Sequence, residues 1–140
     1  MTPEQIAAVE RTMVAAGPMM DAVAADFYRR LFAAAPDTER LFTSDPVRQR
    51  AKFAAELEDI MLAIRDHEEF LRRARALGAR HTRYGVRAAH YRLVAVALRG
   101  ALAAALGPAW TSEVDTAWRL AYNLTAEAMM AGAADAVQAG

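Results

Sequence analysis

The sequence is 140 residues long, has no cysteine and carries 17 basic and 17 acidic residues, so its formal net charge is zero. A chain of this length is most simply one domain, residues 1–140. The lack of cysteine excludes disulfides, thiolate catalysis and cysteine-bound zinc, and zero net charge argues against nucleic acid as a partner. The longest apolar run, LVAVAL, is far shorter than the ~20 residues of a membrane helix, and the N-terminus lacks the basic segment of a secretory signal. We therefore expect a cytoplasmic protein that binds neither nucleic acid nor membrane.

Helix start and stop signals recur along the first half of the chain. A capping box over residues 2–5, with proline at the first helical position, opens the first helix. Gly17-Pro18 ends that helix and opens a second one, whose apolar residues recur at three- and four-residue spacing. Pro36-Asp37 ends the second helix, and a short helical turn is expected to lead to Phe42. Asp45-Pro46 then starts a third helix.

The helical pattern continues through the second half. A capping box over residues 66–69 opens a helix that runs towards Gly78. A long apolar helix follows, roughly 89–106, and Gly107-Pro108 separates it from a last helix, roughly 113–136. No segment alternates with a period of two, as a half-buried strand would. We predict an all-α domain of about six longer helices plus one or two short ones.

Two of the three histidines have simple structural explanations. His67 stands among charged residues in the first turn of a helix, in RDHEEF. His90 lies at the start of the long apolar helix, just before Tyr91. A lone histidine on a helix is more often a satisfied or solvated side chain than a metal ligand, because the imidazole has many uses. We keep that interpretation for both residues.

His81 differs because it lies at the end of an apolar helix face. Phe70, Ala74, Leu77 and His81 are spaced four, three and four residues apart. A buried imidazole needs partners for both ring nitrogens. One nitrogen could bond the Leu77 carbonyl, one turn earlier, whereas nothing polar in the pattern meets the other. A metal carried by a flat apolar group would satisfy it, but the pattern alone leaves a metal ligand and a structural histidine equally open.

Four segments, in order, resemble the bacterial single-domain globins and the globin domains of flavohaemoglobins. LGARHTRYGVRAAHY, with the following RLVAVAL, is similar to their proximal helix and the next helix, where a ligand histidine precedes Gly-Val and then His-Tyr. DFYRRLFAAAPDTERLF is similar to their second helix and the corner after it, RQRAKF to their distal helix, and AWRLAY to their last helix. The resemblance covers essentially the whole chain and implies a globin fold around a haem pocket.

The resemblance also implies haem b as the cofactor and a role for each matching residue. His81 would be the proximal ligand of the haem iron, with Tyr91 near its imidazole. Tyr28 and Gln49 would face the iron-bound gas from the distal side. The apolar haem contacts would be Phe42, packed flat on the haem, Phe53, Leu77, Val86 and Val94. Without the resemblance, Tyr28 could equally be a half-buried core tyrosine and Gln49 a solvated surface residue.

A haem pocket of this kind implies a protein that binds diatomic gases. A neutral histidine on one side leaves the sixth iron position open to dioxygen or nitric oxide, and hydroxyl and amide donors opposite it should slow dioxygen release. Reversible dioxygen binding is one function that fits. Nitric oxide dioxygenation, which converts nitric oxide and dioxygen to nitrate, is another, and a separate reductase would have to serve it because these residues include no flavin or nicotinamide domain. A haem-free helical interaction domain is the third alternative.

Two positions depart from the family pattern. The pattern has a glutamate fifteen residues after the tryptophan matched by Trp118, where this chain has Ala133, and Glu127 is off register by six positions. The histidine–tyrosine–glutamate network on the proximal side is therefore incomplete. We expect His81 to be less anionic and any peroxidase-like activity to be weaker. Arg92 stands where the family often has proline.

Overall fold

The computed structural model describes residues 1–42, 45–81 and 87–139, and within these ranges the chain forms six α-helices and no β-strand. The helices are α1 Pro3–Ala16, α2 Met20–Ala34, α3 Pro46–Met61, α4 His67–His81, α5 Ala88–Leu106 and α6 Ser112–Ala139. The predicted all-α architecture is confirmed. Short 3₁₀ segments lie at Gly17–Met19, Pro36–Leu41 and Gly107–Ala109, one more than expected. Each contains a proline in its first two positions, which interrupts α-helical hydrogen bonding.

Local capping groups set where the helices begin. The capping box over residues 2–5 forms as predicted, with both reciprocal hydrogen bonds. At the start of α4, Asp66 accepts a hydrogen bond from the Glu69 amide at 3.2 Å. The Glu69 carboxylate instead accepts hydrogen bonds from Arg72 and Arg73, so only half of the predicted capping box forms there. The two guanidinium groups lie in the next turn of the helix, and they are stronger partners for a carboxylate than one backbone N–H.

Trp118 anchors the hydrophobic core where α6 packs on α1. Its indole is fully buried, and Nε1–H donates to the Thr12 hydroxyl at 2.8 Å. That hydroxyl in turn donates to the Ala8 carbonyl at 2.6 Å. The polar end of the largest buried side chain is therefore satisfied inside the core, as a buried indole requires.

α4 and α6 cross with their backbones in direct contact. Gly78 and Gly132 are buried at this crossing, each opposite the main chain of the other helix. A Cβ at Gly78 would lie 2.5 Å from the Met129 Cα, and one at Gly132 would lie 2.8 Å from the Arg75 Cα. Only glycine allows so close an approach. The crossing fixes the last turn of α4, which carries His81.

α5 is the most apolar helix. Together with the turn that follows, Ala88–Ala109, it is long and apolar enough to cross a membrane by length and composition, with a mean hydropathy of 1.4. In this fold the helix packs against α2, α1 and α6, and it buries Tyr91, Leu98 and Leu102. Only 28% of that apolar window is buried, so packing within the bundle covers part of its apolar surface.

Candidate functional site

His81, the last residue of α4, is half-buried and makes the hydrogen bond expected from its position. Nδ1 lies 2.9 Å from the Leu77 carbonyl oxygen. Because a carbonyl only accepts, Nδ1 must carry the proton. Burial lowers the pKa of His81, and the nearby positive charges of Lys52 and Arg80 lower it further, while the bond with Leu77 acts in the opposite direction. The imidazole is therefore neutral, with its lone pair on Nε2.

A neutral imidazole with its lone pair on Nε2 is the form that binds haem iron. Leu77 is buried beside it, and the peptide carbonyl one turn earlier fixes both the ring orientation and the tautomer. The residues present therefore fit an axial ligand site for haem on this side.

The other two histidines have the structural roles that their surroundings suggest. His90 Nδ1 accepts a hydrogen bond from the Arg87 backbone N–H at 2.8 Å, so this imidazole caps the start of α5. His67 is exposed at the first position of α4.

Tyr91 is buried in the first turn of α5. The Tyr122 hydroxyl of α6 donates to the Tyr91 backbone carbonyl at 2.5 Å and so ties the start of α5 to the last helix. Burial raises the pKa of the Tyr91 phenol. Ala133 is half-buried on α6, and Glu127 is exposed on the same helix.

Tyr28 lies within an aromatic cluster. Residues of α2 and α3 form the cluster together with the residue that follows the second 3₁₀ segment. The Tyr28 ring centroid is 5.0 Å from Phe27, 5.2 Å from Phe42, and 5.7 Å from both Phe32 and Phe53. Phe27 and Phe53 stack with centroids 4.2 Å apart. The structure thus brings Tyr28, Phe42 and Phe53 together. Phe27 and Phe32 also belong to the cluster. The four-residue spacing of Phe32 from Tyr28 indicates in the sequence that the two rings lie on the same helix face.

Gln49 lies on α3, one turn before Phe53, and is half-buried. Its side chain makes no hydrogen bond within the described part of the chain, so the structure does not join it to Tyr28. Val94 is half-buried on α5 and packs against the core. Val86, the remaining predicted haem contact, lies outside the described residues.

Three charged residues that the sequence analysis did not assign lie near the site. Glu56 follows Phe53 by one turn of α3 and is half-buried, and burial raises the pKa of its carboxyl group. Lys52 and Arg80 oppose this shift through their positive charges, and the Lys52 Nζ lies 4.0 Å from the Glu56 carboxylate. The helical spacing of Lys52, Phe53 and Glu56 was a usable signal in the sequence.

Comparisons with known proteins agree with this geometry. A family model described as Globin matches residues 25–129. The flavohemoprotein of Deinococcus radiodurans is 33% identical over an alignment of 135 residues. The alignment covers 93% of this chain but only 33% of that protein, so the chain spans about a third of its length. Leghemoglobin alpha of Phaseolus vulgaris is 32% identical over 114 residues, covering 74% of this chain and 77% of that one.

A solved structure agrees over the whole length. It is an engineered carbene transferase made from a Rhodothermus marinus protein described as a candidate nitric oxide dioxygenase. It is 32% identical to this chain, the alignment covers 100% of this chain and 99% of that one, and the TM-score is 0.87. Fold, family model and relatives converge, and the chain belongs to the globin family.

Proposed function

We propose that this globin is a cytoplasmic protein that binds dioxygen reversibly at a haem b iron, with His81 as the iron ligand and Tyr28 and Gln49 on the gas side. The observation that carries the proposal is the state of His81. Its Nδ1 proton is committed to the Leu77 carbonyl, and burial keeps the ring neutral. Haem supplies an iron with one open position for a diatomic gas when a histidine holds the other.

Tyr28 supports the proposal as a hydrogen-bond donor. Burial, and then the negative charge of Glu56, raise the pKa of its phenol. The hydroxyl therefore keeps its proton at physiological pH and can donate to a ligand that carries partial negative charge. In a dry site such a bond is stronger than in water.

The aromatic cluster supports the same function by excluding water. Phe42 and Phe53 pack edge-on to Tyr28 from two different elements, so the tyrosine ring is covered on more than one side. Apolar walls lower the local polarity and favour gas binding over oxidation of the iron. Gln49, one turn before Phe53, would bring an amide donor to the edge of this cluster.

Nitric oxide dioxygenation is the second candidate, and the comparisons favour it. The chain is similar to flavohemoproteins and to a candidate nitric oxide dioxygenase. Each turnover would leave the iron oxidised by one electron, so an electron donor outside these 140 residues is needed. We propose a separate reductase in that role.

Absorption spectra of the purified protein test the proposal. We expect a haem spectrum, identified as haem b by its pyridine complex, and a reversible change when the reduced protein meets dioxygen. His81→Ala should abolish or strongly weaken this spectrum, whereas His67→Ala, the matched control, should preserve it. Wild-type protein that takes up no haem would overturn the proposal.

Two kinetic measurements separate the gas-binding roles. Tyr28→Phe should speed dioxygen dissociation about ten-fold or more, because it removes a hydrogen bond worth about 1.5 kcal/mol or more. An unchanged rate would remove Tyr28 from the site. For the second function, mixing the oxygenated protein with nitric oxide should form nitrate once per haem, and repeatedly when a reductase is present. A single turnover that no reductase can extend would contradict a dioxygenase role.

A further inference from the structure

Phe27 contacts both Tyr28 and Phe53, which the proposed function places at the gas site. It lies on α2, is 2% exposed and directly precedes Tyr28. Its ring centroid is 4.2 Å from that of Phe53 and 5.0 Å from that of Tyr28, and the latter two rings are 5.7 Å apart. Phe27, Tyr28 and Phe53 therefore form a closed triangle of rings, which we call the aromatic triad.

The two ring contacts of Phe27 differ in geometry. Its ring is nearly parallel to that of Phe53, with an interplanar angle of 11°. Phe27 therefore covers one face of the Phe53 ring, and the opposite face points away from it. The planes of Phe27 and Tyr28 meet at 69°, an edge-to-face contact of the kind that aromatic rings favour.

Phe27 is the inner and most restrained member of the aromatic triad. It belongs to the buried core, whereas Tyr28 and Phe53 are only partly buried and pack against that core. Buried side chains are held in one rotamer by close-packed neighbours. The two outer rings have fewer neighbours, so their positions depend on the inner ring.

The other two rings of the cluster do not share this double contact. Phe32 and Phe42 lie 5.7 Å and 5.2 Å from Tyr28, and 5.8 Å from each other. Among the described residues, neither makes a ring contact with Phe53. Phe32 is on the same helix as Phe27 and is half-buried, so it offers a matched control for the loss of one phenyl ring from the cluster.

We propose that Phe27 is a positioning residue that sets the size of ligand the site accepts, because it holds Phe53 and Tyr28 in place. This inference rests on the proposed function and deepens it, since it identifies a residue that determines specificity. With Phe27 behind it, the Phe53 ring cannot retreat, so only a small ligand such as a diatomic gas fits in front of it. With Phe27 beside it, the Tyr28 hydroxyl keeps one orientation towards that ligand.

The test compares ligands of different size on the haem-loaded full chain. Ferrous wild type, Phe27→Leu and Phe32→Leu are titrated with carbon monoxide, methyl isocyanide and n-butyl isocyanide, which all bind iron through carbon. In Phe27→Leu we expect the affinity for n-butyl isocyanide, relative to carbon monoxide, to rise about three-fold to ten-fold, the factor that corresponds to one aromatic contact. Phe32→Leu should leave this ratio within about two-fold of the wild type. Equal changes in both variants would overturn the proposal.

A double-mutant cycle tests whether the size effect acts through Phe53. Phe53→Leu alone should also favour the larger ligand. Adding Phe27→Leu to that variant should change the ratio by less than about two-fold, because the contact between the two rings is already lost. If the effects of the two substitutions simply multiply, the residues act independently and the positioning role is refuted.

Two spectroscopic measurements on the carbon monoxide complex report the ring positions directly. The flip rate of the Phe53 ring, measured by NMR, should rise in Phe27→Leu and stay at the wild-type value in Phe32→Leu, because only Phe27 stacks on that ring. The infrared band of the bound C–O group senses the hydrogen bond from Tyr28. It should broaden or split in Phe27→Leu, since the phenol then samples more than one orientation. An unchanged flip rate together with an unchanged band would contradict the proposal.

The outcomes separate this inference from the proposed function. If Phe27→Leu does not fold, Phe27→Met takes its place, because the unbranched thioether fills core space without a flat ring. Wild-type protein without haem would refute the proposed function, and this inference with it. If haem uptake and reversible dioxygen binding are normal but neither Phe27 variant changes the size preference, the positioning role fails and the gas-binding function stands.

Discussion

Gly78 should be essential to the position of α4, because no other residue fits where α4 crosses α6. The glycine is buried one turn before His81. A Cβ built on it would lie 2.5 Å from both the Cα and the carbonyl carbon of Met129, and still closer to the carbonyl oxygen. These obstacles are backbone atoms in the middle of a 28-residue helix, so no rotamer change can move them aside. Gly78→Ala must therefore push the two helices apart.

The size of the effect follows from this geometry. Ordinary contacts to a Cβ begin at 3.4 Å, so relief of the 2.5 Å contacts needs a separation of at least about 1 Å, and the closer contact with the carbonyl oxygen needs more. Overpacking of a core costs about 1–3 kcal/mol, and the rigid backbone places this site at the upper end. The higher helix propensity of alanine offsets about 1 kcal/mol of this loss of stability. We expect a net loss of about 2 kcal/mol and a fall of about 5–10 °C in Tm.

Thermal melts followed by circular dichroism would measure this loss, and Gly100→Ala is the control. A Cβ at Gly100 would meet the Arg30 guanidinium nitrogen at 2.8 Å, and that flexible side chain can move. The control gains helix propensity without a backbone clash and should melt at or above the wild-type temperature. Because Gly78 lies one turn from His81, the variant should also lose haem faster to an acceptor protein. A Gly78→Ala protein as stable as the wild type would refute the close crossing.

Three further predictions concern stability. Thr12→Val should cost about 1–3 kcal/mol in urea unfolding, because it leaves the buried Trp118 N–H without an acceptor, while Thr12→Ser should cost less. Hydrogen bonds from two arginines lower the pKa of Glu69 to about 2. The contribution of its carboxylate to folding stability is therefore present above pH 4.5 and is lost as pH falls towards 2. Glu69→Gln should be slightly less stable than the wild type at neutral pH and low salt, and the difference should disappear towards pH 2. Burial raises the pKa of the Glu56 carboxyl group, so its negative charge destabilises the folded state once the pH is high enough to ionise it. Glu56→Gln should therefore be more stable than the wild type at pH 7 but not at pH 3. Thermal melts at both pH values would measure the difference.

The features that the sequence predicted depend on residues close together in the chain. The bond from His81 to the Leu77 carbonyl follows from helix geometry, because residues four apart lie one above the other. The capping box at the N-terminus is equally local, and it forms as predicted. The half-formed box at Glu69 shows the limit of such signals, since two arginines in the next turn also compete for the same carboxylate.

The features that the sequence did not predict depend on which distant segments meet. Gly78 and Gly132 are 54 positions apart, and nothing near either residue shows that each lies against the other helix. The same holds for the stack of Phe27 on Phe53, which needs α2 and α3 to pack at one particular register. Glu56 is different, because its one-turn spacing from Phe53 was visible and could have placed a carboxyl group beside the predicted site.

The proximal side bears on the choice between gas binding and more demanding chemistry. His81 Nδ1 bonds a neutral peptide carbonyl, which orients the ring but adds no negative charge to it. α6 carries Ala133 where the family pattern has a glutamate, and Glu127 is exposed, so neither residue places a carboxylate in that network. Electron donation from the ligand should therefore be modest, and the chemistry of the site should depend mainly on Tyr28 and its aromatic surroundings. Under the proposed function, such an arrangement would hold a gas without activating it strongly, and any turnover would then depend on how fast an external donor returned the iron to its ferrous state.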